Sequence, residues 1–144
     1  MNKQRKAIRS LLAFSALFLS THAFAETATL TVTISDLKTN QGSVLIAGYQ
    51  DEKSFQSFSN WAFSAEQAVD SDSMTFTLDV EVGEKYAITV MQDLNGNKRF
   101  DMTPDGRPGE PYGYSNDSAY MGPPTFEAAS ILIDGDTTAS IKMF

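Results

Sequence analysis

The chain has 144 residues, with 11 basic against 18 acidic side chains and no cysteine. That length sets an expectation of one domain, and the missing cysteines remove disulfides and thiol catalysis. All 18 acids but only seven basic residues lie beyond Ala25. Residues 26–144 therefore carry a net −11, a surface that repels nucleic acid and anionic lipid and attracts cations.

The first segment has the three parts of a secretory signal. Lys3, Arg5, Lys6 and Arg9 precede an apolar run over Leu11–Leu19, and Ala23-Phe24-Ala25 supplies the small residues of a cleavage site. The run is shorter than the ~20 apolar residues of a spanning helix, so no membrane span is expected after cleavage. Residues 1–25 are assigned as a signal peptide and residues 26–144 as a single domain, placed in the periplasm or the medium. The one histidine, His22, leaves with the signal. Without His or Cys, Ser-His and Cys-His catalysis and the usual zinc sites are excluded from the mature chain, and no enzyme activity is expected.

Beyond Ala25 the apolar period is two. Leu30, Val32 and Ile34 alternate with threonine and serine, which predicts a half-buried strand. Asn40-Gln41-Gly42 predicts a turn, and Val44 to Tyr49 a second strand. Asp51 to Phe63 breaks the alternation. One helical turn and a loop are expected there, with Phe55, Phe58, Trp61 and Phe63 covering an end of the core. Met74 to Val82 alternates most clearly, and Gly83-Glu84-Lys85 is expected to turn it into a hairpin with Tyr86 to Met91. Asp93 to Pro124 shows no strand pattern, and a loop of that length is usually functional or disordered. Ala128 to Ile133 and Thr138 to Met143 are expected to close the chain as two strands joined by Asp134-Gly135-Asp136. The fold expected is all-β, an antiparallel sandwich of about seven strands with one long loop. Its core should hold Leu30, Val32, Ile34, Phe76, Leu78, Val80, Ile88, Val90, Ile131 and Ile141.

One constellation is patterned for chemistry. Asp93, Asn95, Asn97 and Asp101 set side-chain oxygens at the first, third, fifth and ninth places of a Gly-containing loop. Alternate residues of a tightly turned chain point to one centre, and calcium loops use that spacing. The carbonyl of Arg99 and the carboxylate of Asp105 would add ligands. Lys98 stands where a calcium loop carries its turning glycine, and Pro104 where it carries a bidentate glutamate. The alternative is a hydrated Asx-type turn. Further on, Arg107, Glu110, Tyr112 and Tyr114 lie on a stiff Pro/Gly segment. They are expected to pack on the sandwich edge, with a shallow ligand face as the alternative.

A longer set of residues carries a resemblance. Gly83-x-x-Tyr86 is followed by Asp93-x-Asn95-Gly96-Asn97. Next comes Gly106-x-Pro108-x-Glu110-x-Tyr112-Gly113-Tyr114-Ser115-Asn116, and finally Gly122-Pro123-Pro124-x-Phe126-Glu127-x-Ala129. In this order the chain resembles the bacterial envelope family catalogued as domain of unknown function 2141. The resemblance implies an exported immunoglobulin-like or transthyretin-like sandwich with no established activity. It also implies glycine as the common residue at the place of Lys98. The implied fold is similar to that of 5-hydroxyisourate hydrolase, whose activity uses histidines that residues 26–144 lack.

Three functions fit these expectations. The first is a non-enzymatic envelope binding module, stabilised by calcium, for an unknown protein or ligand. The second is a carboxylate-dependent enzyme on envelope glycans, using Asp93, Asp101, Asp105 or Glu110. The third is a structural or accessory envelope protein without a small ligand.

Overall fold

The computed structural model describes residues 25–38 and 41–144, without the side chains of residues 119–121. The signal segment up to Phe24 and the Asn40 end of the expected turn lie outside the described residues. Among the described residues eight strands form two sheets, β1 (Thr27–Ser35), β2 (Ser43–Tyr49), β3 (Phe63–Ala68), β4 (Ser73–Glu81), β5 (Lys85–Asp93), β6 (Tyr112–Tyr114), β7 (Ser130–Leu132) and β8 (Thr137–Lys142). Two short helices, α1 (Glu52–Ser57) and α2 (Phe126–Ala129), complete the elements with a 3₁₀ segment, Ser115–Met121.

The smaller sheet runs β4-β1-β8, and the larger runs β3-β2-β5-β6, with β7 also on β5. Alternation explains why they stack. Leu30, Val32, Ile34, Met74, Phe76, Val80 and Ile141 turn inward from the small sheet. They meet Val44, Ile46, Ile88 and Val90 of the large one in a single core. At one end of that core, fully buried Gln92 ties the backbone of Lys38 and Gln41 to β5 through both its amide oxygen and its amide nitrogen.

Several expectations needed correction. β4 and β5 form no hairpin, because they belong to different sheets. Period two fixes which face a residue takes, whereas both an arch and a hairpin can turn on Gly83 (φ +90°). Asp134-Gly135-Asp136 likewise arches between sheets, and Asp136 Oδ1 accepts from Thr29 N to dock the incoming β8. β8 pairs with β1 in parallel, so the sandwich is mixed. The expected strand from Ala128 begins as α2, capped by the Thr125 side chain on Ala128 N. Ile131 and Ile133 lie on the same face, and it is Ile133 that is fully buried in the core, while Ile131 packs against it partly buried. Leu78 is also only partly buried, although its β4 neighbours Phe76 and Val80 on the same face are buried. β3 and β6 had no strand expectation, and β6 interrupts the long loop.

Candidate functional site

β5 ends at Asp93, whose side chain is only 1 % exposed although it carries a charge. Its carboxylate is satisfied by the loop that follows. Oδ1 accepts from Gly96 N at 2.7 Å and Asn95 N at 3.3 Å, and Oδ2 accepts from Lys98 N at 2.7 Å. Burial pushes the Asp93 carboxyl up, but the backbone amides of Lys98, Gly96, Asn95 and Asn97 outweigh it and hold the group below its ordinary value. The relay continues along the loop. Asn95 Oδ1 accepts from Asn97 N, and Asn97 Oδ1 accepts from Arg99 N. Both asparagine amides then donate to Asp101 Oδ2, at 2.6 and 2.8 Å. Lys98 takes φ +59°, so it makes the sharp turn that glycine makes at this place in calcium loops. Its ammonium bonds Glu66 of β3, which holds it above its ordinary pKa.

Glu110 belongs to this loop as a clamp. It is 6 % exposed, and its two oxygens accept from Leu94 N and Asp101 N, at the two ends of the loop. It is therefore withdrawn from the ligand face on which it was expected. Asp105 makes its bonds elsewhere, to Thr103 Oγ1 and Arg107, and these hold its carboxyl below the ordinary value. Among the described residues no three His, Cys, Asp or Glu side chains are grouped to hold a metal. Arg107 is exposed and lies beside a shallow concavity of about 380 Å³, lined also by Lys38, Pro108, Pro111, Tyr112 and Phe144.

Tyr112 and Tyr114 belong to a larger surface than the one expected. In register across the large sheet, Glu66, Leu45, Met91 and Tyr112 form one row, and Ser64, Ala47, Thr89 and Tyr114 the next. These rows lie on the side facing away from the core. A third row, Tyr49 with Ala87, is covered by the helices. Asp51 caps α1 by accepting from Ser54 N, and the helix lays Phe55 on Tyr49, Ala87 and Tyr114. The loop borders the other end, with Phe100 (40 % exposed) edge-on to Tyr112. The rings run on continuously, from Phe144 (49 % exposed) to Tyr112 at 6.0 Å, Tyr114 at 6.0 Å and Phe55 at 5.9 Å. Leu45, Ala47, Met91 and Thr89 are half-buried between these borders.

Sequence reasoning named the two tyrosines and missed Leu45, Met91, Phe100 and Phe144 as their neighbours. The available signal was the run Val44 to Tyr49, which is apolar on both faces of one strand. Gly113 explains why β6 reaches this position. A Cβ there would lie 2.7 Å from Ile141 Cγ2 and 2.9 Å from Lys142 O, so only glycine lets β6 press on the end of β8.

No helix among the described residues is long and apolar enough to cross a membrane. No curated protein and no solved structure matches the chain. A family model does match, over residues 32–141, and spans both sheets, the Asp93 loop and the tyrosine strand. The chain therefore belongs to DUF2141, a family described as uncharacterized protein conserved in bacteria.

Proposed function

We propose that the protein is a non-enzymatic binding module of the bacterial envelope, exported by its N-terminal signal, and that it binds through the outer face of the large sheet. One observation carries this reading, the two apolar rows Leu45-Met91-Tyr112 and Ala47-Thr89-Tyr114 on a face turned away from the core. A contiguous, half-buried apolar surface bordered by exposed Phe100 and Phe144 has the character of an interaction site. Tyrosine suits such a face, with an apolar body and a polar tip. The glycan-hydrolase alternative has less support. A general acid needs a raised pKa, whereas Asp93 is shifted the other way and Glu110 spends both oxygens on backbone amides.

The test is photo-crosslinking in cells. A photoreactive residue replacing Met91 or Tyr112 should give a discrete adduct in the periplasmic fraction. The same residue replacing Thr31, on the outer face of the small sheet, should give none. Absence of adducts from Met91 and Tyr112, or equal adducts from Thr31, would overturn the assignment.

Calcium at the Asp93 loop is a second reading, favoured by the glycine-like turn at Lys98. Asp93 and Asp101 would be the charged ligands. Asn95 and Asn97 would have to turn their oxygens inward, giving up their bonds to Asn97 N and Arg99 N. Calcium suits such an irregular oxygen set better than magnesium does. Its role would be to stiffen the loop that borders the binding face.

A further inference from the structure

The sheet edges differ in how they are protected. β6 is three residues long, and its Tyr112 exchanges backbone bonds with Phe144 in both directions. The β8 edge meets the 3₁₀ segment, where Asp117 Oδ1 accepts from Lys142 N. β3 is six residues long and carries the Glu66–Lys98 ion pair. β4 is nine residues long, paired with β1 at every position without a bulge, and contains no proline and no lysine. Among the described residues it pairs with no other strand. Long unprotected edges are templates for strand addition.

The backbone shows which groups are free. Val82 N bonds Glu26 O, and Asp72 O accepts from Leu37 N, so even-numbered residues turn their backbone groups toward β1. Odd-numbered residues turn theirs outward. At the ends of β4 these outward groups are already occupied. Ser73 O accepts from Ser71 Oγ, and Glu81 N donates to the Tyr86 hydroxyl. The open stretch is Thr75, Thr77 and Asp79, with Thr77 at its centre.

We propose that β4 is the pairing edge of a dimer, in which a second copy of this chain adds its own β4 antiparallel about a two-fold axis at Thr77. Side-chain complementarity selects that occupant. Centred on Thr77, the outer face sets Asp79 against the partner's Thr75 and Glu81 against the partner's Ser73, so no like charges are opposed. The inner face sets Leu78 against the partner's Phe76 and Met74 against the partner's Val80. Leu78, left partly buried in the monomer, gains an apolar neighbour. The two chains are acidic overall, but exposed charges more than about 8 Å apart are largely screened at physiological salt. The dimer should be weak, should strengthen with salt, and leaves the proposed binding face on the other sheet open.

The chain has no cysteine, so a single introduced one reports only contacts between copies. Opposed residues of a hydrogen-bonded antiparallel pair have Cα atoms about 5.5 Å apart, within disulfide range. Under mild oxidation Thr77→Cys should form a covalent dimer at least about tenfold faster than Thr31→Cys, given that distance. Thr75→Cys and Asp79→Cys should crosslink to each other when mixed and slowly alone. By sedimentation, the wild type should show a concentration-dependent dimer. Thr77→Lys, which opposes two like charges at an exposed position, should remove it and leave the circular dichroism unchanged. The proposal is overturned by a wild type that stays monomeric at all concentrations, by Thr77→Cys reacting no faster than Thr31→Cys, or by a dimer that Thr77→Lys leaves intact.

Discussion

The two sheets present matching inner faces and opposite outer ones. Outward from the small sheet stand Thr29, Thr31, Thr33, Thr75, Thr77, Asp79, Thr138 and Ser140, without one apolar residue. From the large sheet stand Leu45, Ala47, Tyr49, Ala87, Met91, Tyr112 and Tyr114, with Thr89 among them and Ser64 and Glu66 at the β3 edge. Folding alone asks for an apolar inner face and a solvated outer one, and the small sheet meets that requirement. The large sheet departs from it. The helices cover one row, and the two rows left over are only half-buried, with Tyr114 against Phe55 and Tyr112 against Phe100 and Phe144. It is this departure that motivates the proposal of a binding face.

The comparison breaks most readily at the core, where the sheets should be equivalent. Phe76→Ala on the small sheet should cost about 3–5 kcal/mol and Ile88→Ala on the large sheet about 2–5 kcal/mol, read by urea denaturation. A cost below ~1 kcal/mol for either would mean that the sheets do not share one core.

A smaller effect sharpens the border of the proposed binding face. Asp93→Asn replaces a buried carboxylate that accepts three backbone bonds, and should destabilise by about 2–4 kcal/mol. The sign with pH follows from the lowered carboxyl. Asp93 stabilises the folded state above its unfolded pKa of about 4, and that contribution fades as pH falls toward the folded value. The gap between wild type and Asp93→Asn should therefore shrink on acidification below about pH 4. A gap that is constant with pH would show that the charge has no part in holding the loop.

The smallest expected effect concerns calcium. At ten times its Kd, calcium should add about 1.4 kcal/mol, seen as a rise of several degrees in Tm that Asp101→Ala removes. Equal melting in calcium and in chelator, at matched ionic strength, would leave the loop as a hydrogen-bonded turn.

How much of this was legible depended on what each segment's neighbours decide. β1 and β4 were readable because strict alternation needs no partner to interpret it. β3 was not, since Ser64, Glu66 and Gln67 leave only Phe63 and Ala65 facing the core. β6 was too short for a period, and its position is set by Gly113 meeting β8. The oxygen spacing of the Asp93 loop was plain, but the Glu110 clamp was not, because its bond to Leu94 spans 16 residues of irregular chain. The run Val44 to Tyr49 read only as a strand, and the sheet order shows that its second apolar face is turned away from the core.

The parallel pairing of β1 with β8 sets Leu30 beside Thr137, 107 positions along the chain. Bacterial synthesis at about 5–20 residues per second separates the two strands by roughly 5–20 s. During that interval β1 has one partner edge vacant, and no local contact can substitute for the strand still to come. Topologies rich in such distant contacts fold in milliseconds to seconds rather than microseconds. The small sheet is thus a late assembly, closed only once β8 has emerged, and a chain cut short before Thr137 would leave β1 open on that side.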